Sequence, residues 1–140
     1  MALSTTVYRG TDGRSWIDVN ANKTLVAADS GLVQNVIADN VTVTLPATVV
    51  GLHYIIRNGG VATTGAAVGT GSNGTALVLT MPTGTDGFTG AAITAAASKG
   101  MNNTKATSSV GDEIQLKGTG VNSAVAWVIS NLIGTWARTA

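Results

Sequence analysis

Along most of the chain apolar and polar side chains alternate with a period of two and not 3.6, the pattern of strands that bury one face. Val41-Thr-Val-Thr-Leu45 is the clearest case: valine and leucine fall on one side and hydroxyls on the other. Pro46 stops the run, because proline brings no N–H to a ladder. Leu52–Arg57 reads as a second strand, ended by Asn58-Gly59-Gly60, and Ala76–Met81 as a third, ended by Pro82 and Gly84. Glu113–Lys117 alternates cleanly and turns through Gly118-Thr-Gly120 into Ala124–Ile129. Upstream, Thr24–Ala28 and Leu32–Ile37 flank the turn Asp29-Ser-Gly31, and Ala38-Asp-Asn40 is a further turn. Ala91–Ala97 is alanine-rich but bracketed by Gly90 and Gly100, with no charge pattern to support a helix; it reads as strand or loop. Residues 61–75, rich in Gly and Thr, read as a long surface loop.

Short strands about ten residues apart, with turn chemistry between them, predict an all-β fold. The expected architecture is a single-domain antiparallel β-sandwich, jelly-roll-like, with long Gly/Thr/Ala-rich loops. Residues 1–15 show little apolar periodicity and predict an extended N-terminal arm, ahead of a sandwich domain over 16–140.

Composition narrows the possible roles. A length of 140 residues suits one domain. With aromatics at 4 %, the core must be built from aliphatic side chains. Charged residues make up 11 %, against about 25 % in an average soluble domain, so hydroxyls and amides coat the surface. Eight Lys+Arg against seven Asp+Glu give a net charge of +1 with no basic stripe, so no nucleic-acid partner is expected. No run approaches the ~20 apolar residues of a membrane span, and no membrane partner is expected. The start, Met-Ala-Leu-Ser-Thr-Thr, lacks the features of a secretory leader. The lack of cysteine removes disulfides, thiol nucleophiles and thiolate metal sites.

Candidate chemistry fails position by position. Gly69-Thr-Gly-Ser-Asn-Gly74 spells G-x-G-x-x-G, but a strand-like run comes after it where a helix must begin, and Thr94 stands where the ribose-binding acid belongs. Asp18-Val-Asn20-Ala-Asn22 opens like a calcium loop, yet Lys23 takes the position that needs glycine. His53 is the single histidine, and no G-x-S-x-G accompanies it. Asp112 and Glu113 are adjacent, so on a strand they face opposite ways. No enzyme activity, catalytic residue, cofactor, metal or small-molecule substrate is expected.

Two segments carry a resemblance. The first is Thr24-Leu-Val-Ala-Ala-Asp-Ser-Gly31 with Val41-Thr-Val-Thr-Leu-Pro46 and Gly51-Leu-His-Tyr-Ile-Ile-Arg-Asn58. The second is Ser109-Val-Gly-Asp112 with Ile114 and Leu116, then Ala126-Trp-Val-Ile129 and Gly134-Thr-Trp136. Together they resemble the small β-rich capsid decoration (cement) proteins of tailed bacteriophages, and less closely the β modules of phage tail fibres. The resemblance implies a structural virion protein, often a homotrimer, assembled in the bacterial host cytoplasm. Its partner would be the major capsid protein on the outside of the expanded capsid, which it would brace. A tail-fibre, spike or other minor virion component for host attachment is the alternative. Capsid or subunit contacts are expected at Val7, Tyr8, Arg9, Arg14, Trp16, His53 and Trp136, chosen from chain position and expected exposure.

Overall fold

The computed structural model describes residues 3–11, 13–69, 77–81, 85–103 and 107–139. Of the Gly69–Gly74 motif, all but Gly69 therefore lies outside the described residues, as do Pro82 and Gly84. Two sheets pack face to face, as expected for an all-β sandwich. The longer runs in the order β1 (Val7–Arg9), β2 (Ser15–Val19), β4 (Val33–Val36), β6 (His53–Asn58), β11 (Glu113–Gly118), β12 (Trp127–Ile133), β8 (Gly87–Gly90), β9 (Ile93–Ala97). The shorter runs β13 (Trp136–Arg138), β10 (Met101–Asn103), β7 (Val78–Thr80), β5 (Thr42–Thr44), β3 (Lys23–Thr24).

Strand direction corrects the antiparallel, jelly-roll-like expectation. β2, β4 and β6 lie parallel in one sheet, and the strands that follow them in the chain, β3, β5 and β7, lie parallel to one another in the other. The first half of the chain thus winds coil upon coil between the sheets. The second half adds mostly antiparallel strands, β11 against β6 and β10 against β7, with β12 parallel to β8. The physical reason is that period-two alternation fixes which face is buried and is blind to direction. Asp29-Ser-Gly31 and its neighbours are corners that carry the chain from one sheet to the other, not hairpin turns within a sheet.

Between the sheets lies an aliphatic core with few rings. Val19, Val36, Tyr54, Ile56, Leu116 and Trp127 of the long sheet meet Val43, Leu79, Met101 and Trp136 of the short one. Thr24–Ala28 yields only a two-residue strand, because the chain bends after it into a short 3-10 turn (Ala27–Asp29), where Asp29 accepts from the Val26 N–H at 2.9 Å. Ala91–Ala97 gives the edge strand β9.

The first residues do not project as an arm. The turn after β1 is closed by a hydrogen bond from Gly10 N–H to the Arg14 carbonyl at 2.7 Å, and β1 folds back antiparallel on β2 with Tyr8 opposite Trp16. Its three residues are all exposed, which is why no apolar alternation marks them in the sequence.

Each end of the sandwich is tied by a buried polar group. At the end where β6 starts, Lys23 Nζ lies 3.2 Å from Asp29 Oδ1 and donates to Gln34 Oε1 at 2.7 Å, and the Tyr54 hydroxyl donates to the Val26 carbonyl at 2.8 Å. Burial, and secondarily the Asp29 carboxylate, raise the Tyr54 phenol above its ordinary value. The folded chain thus favours the neutral phenol. The stability this contributes is full below about pH 10 and is lost as pH rises above it. Denaturant titrations are expected to show the wild type weakening from about pH 10 upward more steeply than Tyr54→Phe, which starts about 1 kcal/mol less stable for want of the hydrogen bond. Parallel pH profiles for the two would contradict this.

At the opposite end, Asn58 Nδ2 donates to Asn103 Oδ1 at 2.8 Å, joining β6 of one sheet to β10 of the other. Asn103 Nδ2 donates to Asp112 Oδ2 at 2.9 Å, which also accepts from the Ser109 N–H at 2.9 Å. Asn58 Oδ1 accepts from the N–H of Val68 at 2.9 Å. Gly134 packs against the Asp112 carboxylate, where a β-carbon would sit 2.2 Å from it. Asn58 and Asp112, far apart in sequence, therefore meet through Asn103 in one buried cluster, with the exposed Gly134 packed over the carboxylate.

Candidate functional site

Two surface features stand out on this frame. The first lies on the outer face of the long sheet, where Trp16 and Asp18 alternate with the buried Ile17 and Val19. Tyr8 and Trp16 stack with centroids 5.5 Å apart and planes 23° apart, and the Arg57 guanidinium carbon sits 5.8 Å from the Trp16 ring centre. Asp18, Asn35 and Arg57 occupy one register row across β2, β4 and β6. Asn35 Nδ2 donates to Asp18 Oδ1 at 2.9 Å, and Arg57 Nε donates to Asn35 Oδ1 at 3.0 Å. Gly59 leaves room for this amide, since a β-carbon there would come within 2.3 Å of Asn35 Oδ1. Beside the row opens a cleft of about 280 Å³, lined by Trp16, Asn35, Arg57, Gly59 and Val110.

The second feature is the end of the sandwich where β6 begins. Val26, Val49, Val50, Val121 and Val125 are between 40 and 75 % exposed, unusual for aliphatics in a chain that buries most of its others. The loops carrying them are held together: Gly120 N–H donates to Thr48 Oγ1 at 3.0 Å, Leu52 N–H donates to the Val49 carbonyl at 3.2 Å, and Gly118 packs against the Val49 carbonyl. Val26 precedes the corner whose Ser30 and Gly31 hydrogen-bond to His53 at the start of β6. A cleft of about 370 Å³ at this end is lined by Val50, Leu52, His53 and Lys117.

The structure gathers Val7, Tyr8, Arg9, Arg14 and Trp16 at one edge of the long sheet. His53 is half-buried and belongs to the valine-rich end, its Nε2 buried with no hydrogen-bond partner among the described residues. Trp136 corrects the expectation of a contact residue: it is 6 % exposed, belongs to the core, and donates from Nε1 to the Ile133 carbonyl at 2.9 Å. Nearness to the C-terminus suggested exposure, but β13 closes the short sheet and turns the ring inward.

Arg14 has a structural task, because its guanidinium pairs with Glu113, which is only 3 % exposed. Deleting residues 1–9 is therefore expected to leave the thermal transition nearly unchanged. Deleting 1–15 strands a buried carboxylate and should cost about 1–3 kcal/mol, the half-exposed arginine moderating the loss. Equal melting temperatures for the two truncations would contradict the assignment.

Asn35, Arg57 and the valines were not singled out by sequence reasoning. The first two become neighbours only through parallel pairing. A signal for the valines did exist: Val49-Val50, between Pro46 and Gly51, breaks the alternation and leaves two adjacent apolar side chains that cannot both face the core. No protein-family model matches the chain, and no curated protein resembles it closely enough to count as a relative.

Proposed function

We propose that this chain is a structural, non-enzymatic virion protein of a tailed phage that attaches to the outside of the expanded capsid and stabilises it. The observation that carries the reading is the valine-rich end. Five exposed valines flanked by hydroxyl-bearing loops and by Lys117 form a surface whose burial against another protein is favourable and whose exposure is otherwise costly. Seated on the major capsid protein, that end binds the expanded lattice and not the immature one, and affinity for one state stabilises it. Many modest contacts repeated over a shell then resist rupture. The homotrimer implied by the resemblance has a surface to use in the outer edge of β1, whose backbone N–H and C=O groups on that side face no strand among the described residues.

Co-sedimentation with expanded, undecorated capsids tests this. Binding that saturates at a fixed ratio per capsid supports it; no binding to capsids, with a few copies found only on tails, overturns it. The alternative reading, a tail-fibre, spike or other minor virion component for host attachment, is favoured by the Trp16–Arg57 cleft, whose aromatic wall and ordered polar row suit a ligand better than a flat protein contact.

A further inference from the structure

We propose that Lys23 and Gln34 join in an intramolecular isopeptide bond, with the Asp29 carboxylate carrying the proton, so that a covalent link spans the two sheets. This is a property of the chain itself and stands whether or not it seats on a capsid. Lys23 lies on β3 of the short sheet and Gln34 on β4 of the long one. Parallel register sets Gln34 in the row between Ile17 and Ile56, so its side chain points into the sandwich and is fully buried. There its amide oxygen accepts from Lys23 Nζ at 2.7 Å, while Nε2 is buried without a hydrogen-bond partner among the described residues. Buried amide N–H groups are rarely left unpaired, and here the unpaired nitrogen is the one that substitution at Cδ would expel. The Lys23 and Asp29 side chains are themselves only 11 % and 13 % exposed, so bulk water scarcely competes for the site.

Each part of the reaction has a group in place. The Gln34 Cδ carbon is one C=O bond of about 1.2 Å beyond the oxygen, so it lies within about 4 Å of Nζ. The flexible lysine stem needs only to swing Nζ from the oxygen to the face of the carbonyl. Asp29 Oδ1, 3.2 Å from Nζ, takes one proton from the ammonium, and the neutral amine attacks Cδ. The Nζ–Cδ bond forms, a second Nζ proton passes to Nε2, the Cδ–Nε2 bond breaks, and ammonia leaves. Ammonia recovers the proton held by Asp29 and departs as ammonium. One lysine ammonium is thus exchanged for one free ammonium, and nothing is oxidised or reduced. The carboxyl carbon of Asp29 is the poorer electrophile, because a carboxylate carries its charge on the group under attack and Oδ2 is already tied to the Val26 N–H at 2.9 Å. Asp29 is therefore the proton carrier and Gln34 the acceptor of the bond.

Mass spectrometry of the full chain, folded and held for several days at neutral pH, tests this. The expected mass is that of the chain less one ammonia. After denaturation, trypsin should fail to cut behind the acylated Lys23 and should release residues 15–57 as one peptide, also lighter by one ammonia. Fragmentation of that peptide should give no ions from backbone cleavage between Lys23 and Gln34, where the link closes a loop. Lys23→Arg keeps the positive charge without the amine, and is expected at full mass. Asp29→Asn keeps the size of the side chain and loses the proton carrier, so the Lys23–Gln34 link should form about 100-fold more slowly or not at all. A chain of full mass that trypsin cuts behind Lys23 overturns the proposal. So does loss of water in place of ammonia, an ammonia lost elsewhere while residues 24–57 are released unlinked, or an unchanged rate of linking in a folded Asp29→Asn variant.

Discussion

Replacing Asp112 by alanine is expected to destabilise the fold by about 3–5 kcal/mol, read from denaturant midpoints, which in a chain of this size lowers the melting temperature by roughly 10 °C or more. The carboxylate accepts from Asn103 Nδ2, which is fully buried where water cannot replace it, and from the N–H of Ser109 at the surface. Asn103 in turn holds Asn58, so the loss reaches the bond that couples the two sheets. Asp112→Asn keeps the shape and one acceptor oxygen, so it should cost about 1–2 kcal/mol. Gly134→Ala approaches the alanine variant in severity for a different reason: it drives a β-carbon into the same carboxylate, at a backbone φ of +85° that disfavours any side chain. A loss below about 1 kcal/mol for Asp112→Ala would mean the cluster is not what joins the sheets at that end.

The second large effect is on attachment and not on stability. Changing both Val50 and Val121 to aspartate is expected to weaken capsid binding by about 100-fold or more, because each charge would have to be desolvated in the contact without a partner. The melting temperature should move little, since the two side chains are 75 % and 53 % exposed in the free chain. The same exchange at Val26 and Val125 should act in the same direction at the rim, more weakly. Undiminished binding by the Val50/Val121 variant would remove the valine-rich end from the interface.

The legible part of the fold is the part that alternation encodes. Val41–Leu45, Leu52–Arg57 and Glu113–Lys117 are each a strand within a residue or two of its expected limits, although only the first buries a single face throughout. Alternation does not encode direction, so the coiling of β2 through β7 stayed hidden behind an antiparallel expectation. Strands with both faces wet, β1 above all, leave no periodic trace and read as an arm. Asn58, Asp112 and Gly134 were visible as parts of a recurring pattern, but their purpose needs the convergence that only the fold supplies. The Asp18–Asn35–Arg57 row is illegible for the same reason: parallel register places its members side by side, and no spacing along the chain announces it.

A cryo-electron reconstruction of the mature particle, fitted with this fold, tests the central claim most directly. The account predicts sandwiches standing on the head with Val50 and Val121 buried against the major capsid protein, and Trp16 and Arg57 turned to solvent. Heads without such density, or sandwiches whose valine-rich end points away from the shell, would contradict it.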